Sequence, residues 1–435
     1  PNPAGRASHP RLRRWRCKKI LLTGFTGVMG KRYAYRLAQS GFEVFCPIRA
    51  QSEDEAQNRR ASIISFLKKI HPEMDDTVSS RIHAFMGDVK KRNLGMSDQK
   101  IDFFKATPID EIWHLAASLD LTESRSKQIY DTNLLGTVYI IEFAIDMDIP
   151  ALHYFSTFGA SGAVFSGTVK EEVGVKPKFF RNTYERTKFE TERFVLKAHE
   201  ESSLSTTIYR PSIVVGDSIT GQYEQFNVFN HPFDVCSRLR TNLMDKKELC
   251  PQNDILDYPM RLPANGNATL NIIPLDYAIE TVMRLHRLLA PAGKVYHIVN
   301  PIPPTIQLGM DVFKRNEPWD GLCWEDYNGK QPSDPYENFA ALQLSFLVPY
   351  LQGEASYDMT NTLEVLNKGE GLPKISNVSF LDTIASRAKE NKTWQEVRPS
   401  MTQAKSEDPS HKIDPNGEWP DTQEHLGRFL SECPV

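Results

Sequence analysis

Between Lys18 and Ala50 the chain reads KKILLTGFTGVMGKRYAYRLAQSGFEVFCPIRA. An apolar run of strand character, KKILLTG, leads straight into three glycines spaced three apart: Gly24, Gly27 and Gly30. The stretch GKRYAYRLAQSG (30–41) has helical spacing of its apolar residues and closes at Gly41; FEVFCPIRA (42–50) returns to strand character. A strand, a tight turn, a helix and a second strand imply a βαβ unit, with the two strands parallel and the helix packed back over them. The turn asks for backbone geometry that a Cβ would obstruct.

The alternation continues to about Asn300. Helical spacing recurs at 55–71, 131–147, 184–201 and 273–289, and strand-like runs at 81–89, 109–117, 151–159, 205–216 and 294–301. The fold class is therefore α/β, a Rossmann-type doubly wound parallel sheet, with a smaller mixed C-terminal substrate-binding region. The expected divisions are a flexible basic arm (1–17), a nucleotide-binding domain (18–300) with a substrate-region insertion at about 217–272, the C-terminal region (301–392) and a polar tail (393–435). Helices are expected near 232–244, 336–351 and 378–389. The arm carries RLRRWRCKK (11–19), a solvated charge run whose sharper reading is a docking site for an acidic carrier of substrate. The chain starts at Pro1, as a processed protein or an excised piece would.

Composition removes several function classes. A net charge of −3 over 435 residues gives no global field for nucleic acid. No apolar run approaches the roughly 20 residues of a transmembrane helix. The six cysteines are scattered with no CxxC pair, which fits a reducing, cytoplasmic setting and excludes a zinc site of that type. His231, His286 and His297 have no ligand spacing, so no metal is expected. His114, at a strand end, reads as a structural hydrogen-bonding residue.

The glycine turn lets the main chain approach a pyrophosphate, whose charge is favoured at a helix N-terminus. The second strand ends in CPIRA, with Arg49 and no carboxylate before Glu53. An arginine there suits a ribose 2′-phosphate, so the expected cofactor is NADPH. Further on, YERTK places Tyr184 and Lys188 four apart, on one face of a helix. A nearby ammonium is expected to lower the tyrosine pKa, which suits proton transfer to a carbonyl oxygen as hydride arrives. Ser156 and Thr157 in FSTFG offer a hydroxyl to polarise the same carbonyl.

Taken in order, TGFTGVMG (23–30), GDV (87–89), HLAA (114–117), TNLLGT (132–137), FST (155–157), YERTK (184–188) and RPSIVVG (210–216) resemble the extended short-chain dehydrogenase/reductases. Within them the chain is similar to thioester reductase domains, such as those of carboxylic acid reductases and nonribosomal peptide synthetases, and to fatty acyl-CoA reductases. VFCPIRAQSEDEAQNRR, NTYERTKFETE and YRPSIVVGDSITG carry that likeness, while Phe25 and Pro47 depart from it. The resemblance implies that Thr26, Val28 and Met29 join the glycines on the cofactor, and that Asp88 and Val89 lie around the adenine. Ala116 would line the cleft and Asn133 steady the active-site helix and its water. Thr157, with Ser156 as second choice, would be the catalytic hydroxyl, and Tyr184 the acid. Lys188 would bind the nicotinamide ribose, and Pro211 would sit by the nicotinamide. The implied reaction is NADPH-dependent reduction of an acyl thioester, on CoA or a phosphopantetheinyl carrier protein, to aldehyde or alcohol. The rival readings are an oxidoreductase or epimerase acting on a nucleotide sugar, a sterol or another ketone, and a cofactor-binding regulator without chemistry. Phe158 and Gly159 stand where dehydratases favour an acidic pair, Arg49 disfavours an NAD-retaining epimerase, and the Tyr–Lys pair disfavours a regulator. The aromatic cluster PWDGLCWEDY (318–327) reads as core or an ordered loop.

Overall fold

The computed structural model describes residues 18–121, 125–174, 176–224, 230–244, 255–325, 332–353 and 355–390. The expected basic arm and polar tail lie outside the described residues, as do Asp326 and Tyr327 of the aromatic cluster.

The first half of the chain builds β1 (Lys19–Thr23), α1 (Val28–Gln39), β2 (Glu43–Ile48), α2 (Glu53–Ile70), α3 (Asp76–Ser80), β3 (Ile82–Met86), α4 (Asp98–Ala106) and β4 (Glu111–His114). There follow α5 (Ser126–Tyr130), α6 (Gly136–Asp146), β5 (Ala151–Phe155), β6 (Thr168–Val169), α7 (Thr183–Glu201), β7 (Ser205–Pro211) and β8 (Ile213–Val214). The remainder supplies α8 (Asn230–Met244), β9 (Leu256–Pro263), β10 (Ile272–Ile273), α9 (Leu275–Arg287) and β11 (Lys294–Ile298). Last come α10 (Ile306–Asn316), β12 (Trp319–Glu325), α11 (Pro335–Leu344), β13 (Ser356–Tyr357), α12 (Thr360–Leu366) and α13 (Asn377–Glu390).

Seven parallel strands form the sheet in the order β11-β7-β5-β4-β1-β2-β3. Strand order reverses between β1 and β4, and that switch point opens a crevice at the strands' carboxyl ends. Alternate residues of β1 face opposite layers: Ile20 and Leu22 join the core under α1, α2 and α9, and Leu21 the core under α4, α6 and α7. Both faces are covered, which is why these strands read as continuous apolar runs. The start of α2 is fixed from both sides: the N-cap Ser52 accepts from Glu55 N at 3.2 Å, and the Glu55 carboxylate accepts from Gln51 N, just before the cap, at 2.8 Å.

A second core joins α8, β9, α10, β12 and α13 through Leu239, Met260, Phe313, Leu322 and Phe380. Its central pair, β9 with β12, is parallel and links residues far apart in sequence. Neither strand stood out in the sequence. The burial of β9 does not alternate, and β12 bulges between Asp320 and Leu322, where Gly321 takes φ +78°.

Several expected elements are bounded differently; the helix expected near 336–351, for one, stops at Leu344, before a separate 3-10 turn at Val348–Tyr350. The helix at 131–147 opens with a π turn (Asp131–Leu135) before α6. The strand at 151–159 stops at Phe155, and 158–161 coil into a 3-10 turn capped by Thr157. The strand at 205–216 splits at Ser212, and β8 leaves the main sheet to pair with β10. Ser212 N still donates to Ile298 O at 3.0 Å, so the split lies at the last rung of the ladder.

Candidate active site

One cleft of about 620 Å³ lies over the carboxyl ends of the strands. Gly24, Thr26, Gly27, Val28, Met29, Gly30, Arg49, Asp88, Val89, Ala116, Ser156, Thr157, Tyr184, Lys188 and Pro211 all line it. Every residue expected to be catalytic or to bind the cofactor therefore lines it, except Asn133, which lies behind it. Asn133 is buried; its Oδ1 accepts from Ser118 N at 2.7 Å, and its Nδ2 donates to Ser118 O and to Thr187 Oγ1. It thus ties the segment after β4 to the helix that carries Tyr184 and Lys188.

The glycine turn has the shape a dinucleotide needs. Gly24 takes φ +78°, and a Cβ there would stand 2.7 Å from Ala116 N. A Cβ on Gly30 would stand 2.0 Å from Gly24 O. The helix α1 that follows has Gly27 as N-cap and no side-chain cap, so its first N–H groups are left for an anion. At the far end of the cleft Arg49 is joined by Arg59, a residue the sequence gave no reason to single out. The Arg59 guanidinium donates to Arg49 O at 2.5 Å. Of the carboxylates that follow, Glu53 accepts from Met86 N and Glu55 from Gln51 N. The lining fits a dinucleotide.

Two braces set the position of α7. Arg210 of β7 donates from Nε to Glu192 Oε1 at 2.8 Å and from Nη2 to Glu192 Oε2 at 2.5 Å, a buried two-pronged pair. At the helix start, Asn182 caps α7 by accepting from Glu185 N at 3.0 Å. Tyr350, from the second core, accepts from Asn182 Nδ2 and donates to Glu185 Oε1, both at 2.8 Å. Glu185 also takes Arg181 at 3.2 Å. Tyr350 itself lines the cleft, and no local sequence signal ties it to residues 165 or more positions earlier.

The electrostatics differ from the expectation in one respect. Burial pushes the Tyr184 hydroxyl above the usual tyrosine range, against a hydrogen bond with Thr157 that pulls it down; the Glu185 charge adds to the rise. Lys188 does not offset this, because burial pulls its own ammonium down to about 7, with Glu192 working the other way. Its Nζ donates to Phe155 O at 2.8 Å. Burial thus favours the neutral form of Tyr184. Thr157 bonds Tyr184, and the Ser156 hydroxyl has no partner among the described residues. His114 is buried and held neutral, down to about 3, between Thr23 Oγ1 at 2.7 Å and Thr137 Oγ1 at 3.0 Å.

Away from the cleft, among the described residues, one group of metal-ligand type converges: Glu111, His153 and His286. Glu111 Oε2 lies 2.8 Å from His286 Nε2, accepts from Trp113 Nε1 at 3.3 Å, and its Oε1 accepts from Lys18 Nζ at 2.9 Å. Donors already surround the carboxylate, so the group reads as a closed ion cluster.

Comparison with known proteins agrees with this architecture. The family described as Male sterility protein matches residues 22–282. Aldehyde reductase lnbA of Aspergillus flavus is 24% identical over 68% of this chain and 27% of its own length. A carboxylic acid reductase of Mycobacterium tuberculosis is 25% identical over 70% of this chain and 26% of its own. The chain thus spans about a quarter of the curated relatives it matches. Among solved structures, the terminal R domain of the myxalamid PKS-NRPS pathway superposes with a TM-score of 0.69 at 22% identity, covering 86% of this chain and 91% of that one. UDP-glucuronic acid 4-epimerase of Bacillus cereus, in complex with NAD, gives 0.57 at 17% identity, covering 86% and 99%. Among the described residues no helix is long and apolar enough to cross a membrane. The chain belongs to the Male sterility protein family, NAD(P)-dependent reductases of the extended short-chain dehydrogenase/reductase type.

Proposed function

We propose that this chain reduces an acyl thioester, carried on CoA or on a phosphopantetheinyl protein, with NADPH as reductant, releasing an aldehyde or an alcohol together with the free thiol. One observation carries the reading: Thr157, Tyr184 and Lys188 line the same cleft as the glycine turn and Arg49. The relatives' names, an aldehyde reductase and a carboxylic acid reductase, support the acyl chemistry. The scattered cysteines, of which Cys46, Cys236 and Cys323 are free, fit a reducing cytoplasm.

The residues divide the work by position. The turn from Gly24 to Gly30 and the uncapped start of α1 hold the diphosphate. Arg49, with Arg59 beside it, meets the 2′-phosphate; Asp88 and Val89 flank the adenine. When bound, the reduced nicotinamide supplies the hydride to the carbonyl carbon. Thr157 and Tyr184 donate hydrogen bonds to the carbonyl oxygen as negative charge grows there. Tyr184, kept neutral by burial, then gives up its proton to that oxygen. Lys188 positions the nicotinamide ribose, Pro211 packs by the ring, and Asn133 steadies α7 from behind. The carbon–sulfur bond of the hemithioacetal then breaks as its hydroxyl proton returns to Tyr184 and a proton reaches the sulfur, which re-forms the carbonyl and releases aldehyde and thiol; the alcohol would require a second hydride from a second NADPH.

The test is NADPH oxidation with a panel of acyl-CoAs and carrier-bound thioesters, with thiol release measured in parallel and NADH as control. Hydride consumption matched by thiol release, and faster with NADPH, is the expected result. Dinucleotide binding without thiol release from any thioester would overturn the reading and bring ketones and nucleotide sugars forward.

A further inference from the structure

Two hydroxyls on the cleft floor take no part in the arrangement above. Ser156 and Ser212 are 5% and 6% exposed, both line the cleft, and neither Oγ has a hydrogen-bond partner among the described residues. Their main chains are fixed: Ser156 N donates to Tyr209 O at 2.8 Å and Ser212 N to Ile298 O at 3.0 Å. These bonds hold them at the carboxyl ends of β5 and β7, which are neighbours in the sheet. The polar groups around them are committed, Lys188 Nζ to Phe155 O and Thr157 to Tyr184 and Gly159 N. A buried hydroxyl left unpaired is destabilising, and native chains satisfy nearly all of theirs. Two in one cleft therefore point to a ligand that completes them, and a single χ1 step re-aims a serine hydroxyl at little cost.

We propose that Ser212 and Ser156 hold the carboxamide of the nicotinamide ring; this rests on the dinucleotide reading above but not on the identity of the acyl substrate. A carboxamide presents one acceptor and an N–H₂ donor, and a hydroxyl answers either. The carbonyl of the substrate is already served by Thr157 and Tyr184. Ser212 directly follows Pro211, whose ring removes a backbone donor and fixes φ, so the hydroxyl is the polar group that this strand end can offer. Anchoring the carboxamide fixes which way the ring lies over the floor, and hence where its transferable hydrogen points. Ser156 is thereby assigned to the cofactor and not to the carbonyl.

The experiment is calorimetric binding of NADP⁺ and of 2′-phospho-ADP-ribose, which lacks the nicotinamide, to the full chain and to Ser212→Ala and Ser156→Ala. Each variant is expected to bind NADP⁺ about five- to tenfold more weakly and 2′-phospho-ADP-ribose unchanged, the loss of one net hydrogen bond. The same comparison with NAD⁺ and ADP-ribose makes the result independent of the 2′-phosphate. Equal weakening of both ligands, or of neither, overturns the proposal. So does an effect confined to acyl turnover with unchanged NADP⁺ affinity, which would give the hydroxyls to the substrate. If the unaltered chain binds neither dinucleotide, this proposal and the cofactor reading fall together; a failure of thioester turnover alone leaves the binding test intact.

Discussion

Two polar clusters lie toward opposite ends of the central strands, and they are built on opposite terms. Toward the amino ends, Glu111 is surrounded by Lys18, Trp113 and His286, and His153 bonds Tyr209 OH at 3.2 Å. Toward the carboxyl ends, Ser156 and Ser212 have no partner among the described residues and Lys188 is drawn down to about 7. An aromatic layer stands between them: Tyr33, Trp113 and Phe155, with ring centroids 5.0–5.8 Å apart. The first cluster closes on itself and holds α9 to the sheet. The second is incomplete, and perturbed, unfinished groups in a cleft are where a ligand is to be expected.

If the contrast is right, damage at one end spares the other. Tyr184→Phe should lower turnover about 10²- to 10⁴-fold, the range for a lost general acid, with the urea midpoint unchanged. Glu111→Ala should do the reverse: removing one partner from a buried ion cluster costs about 3–5 kcal/mol, read by urea unfolding, while NADP⁺ affinity holds. Equal effects of both substitutions on stability would break the comparison.

Acid should find the amino-end cluster first. Burial alone would raise the Glu111 carboxyl, but hydrogen bonds from His153 and His286 outweigh it and hold it far below the carboxylate range. Burial also pulls His153 below 6.5, with Glu111 opposing. Both groups bind protons more readily when unfolded, so their contribution is whole above pH 6.5 and falls as pH drops through the histidine range and then below 4.5. Glu111→Gln should flatten the urea-midpoint profile below pH 4.5. Lys188 works in a separate window: its lowered value makes the chain lose stability between pH 10.5 and about 7 as the unfolded state takes up the proton first. Lys188→Met should remove that decline and abolish turnover together, so the group that weakens the fold is the group the cleft needs.

The smallest effect is the most selective. Tyr350→Phe leaves the aromatic ring in place but removes both bonds to the start of α7. It should lower kcat about fivefold, near 1 kcal/mol, with KM for NADPH little changed and a modest loss of stability from the two buried groups left short of a partner. An unchanged kcat beside that loss of stability would reduce Tyr350 to a packing residue.

The sheet and the glycine turn were legible because their signals are local: apolar runs and glycine spacing. Tyr184, Lys188 and Thr157 were legible through their order along the chain. The remaining features depend on partners distant in sequence. Arg59 sits mid-helix among polar residues, and only the fold brings it to Arg49. The pair β9–β12 joins residues 256 and 319 across a bulge, with no alternation to announce it. The tuning of Tyr184 differs from the expectation because the sequence shows that an ammonium is near but not how far burial raises the tyrosine and lowers that ammonium.

Tyr350 has a consequence for the order of events in synthesis. At roughly 5–20 residues per second, a ribosome adds it some ten to thirty seconds after Tyr184. During that interval the strands through β7 can assemble while the start of α7 waits for its brace, and β11 arrives before Tyr350 does. A nascent chain halted near residue 300 would hold a nearly whole sheet and an α7 whose start is unbraced. Capacity to retain a nucleotide would then precede capacity to turn it over, and the last third of the chain would act as the clock.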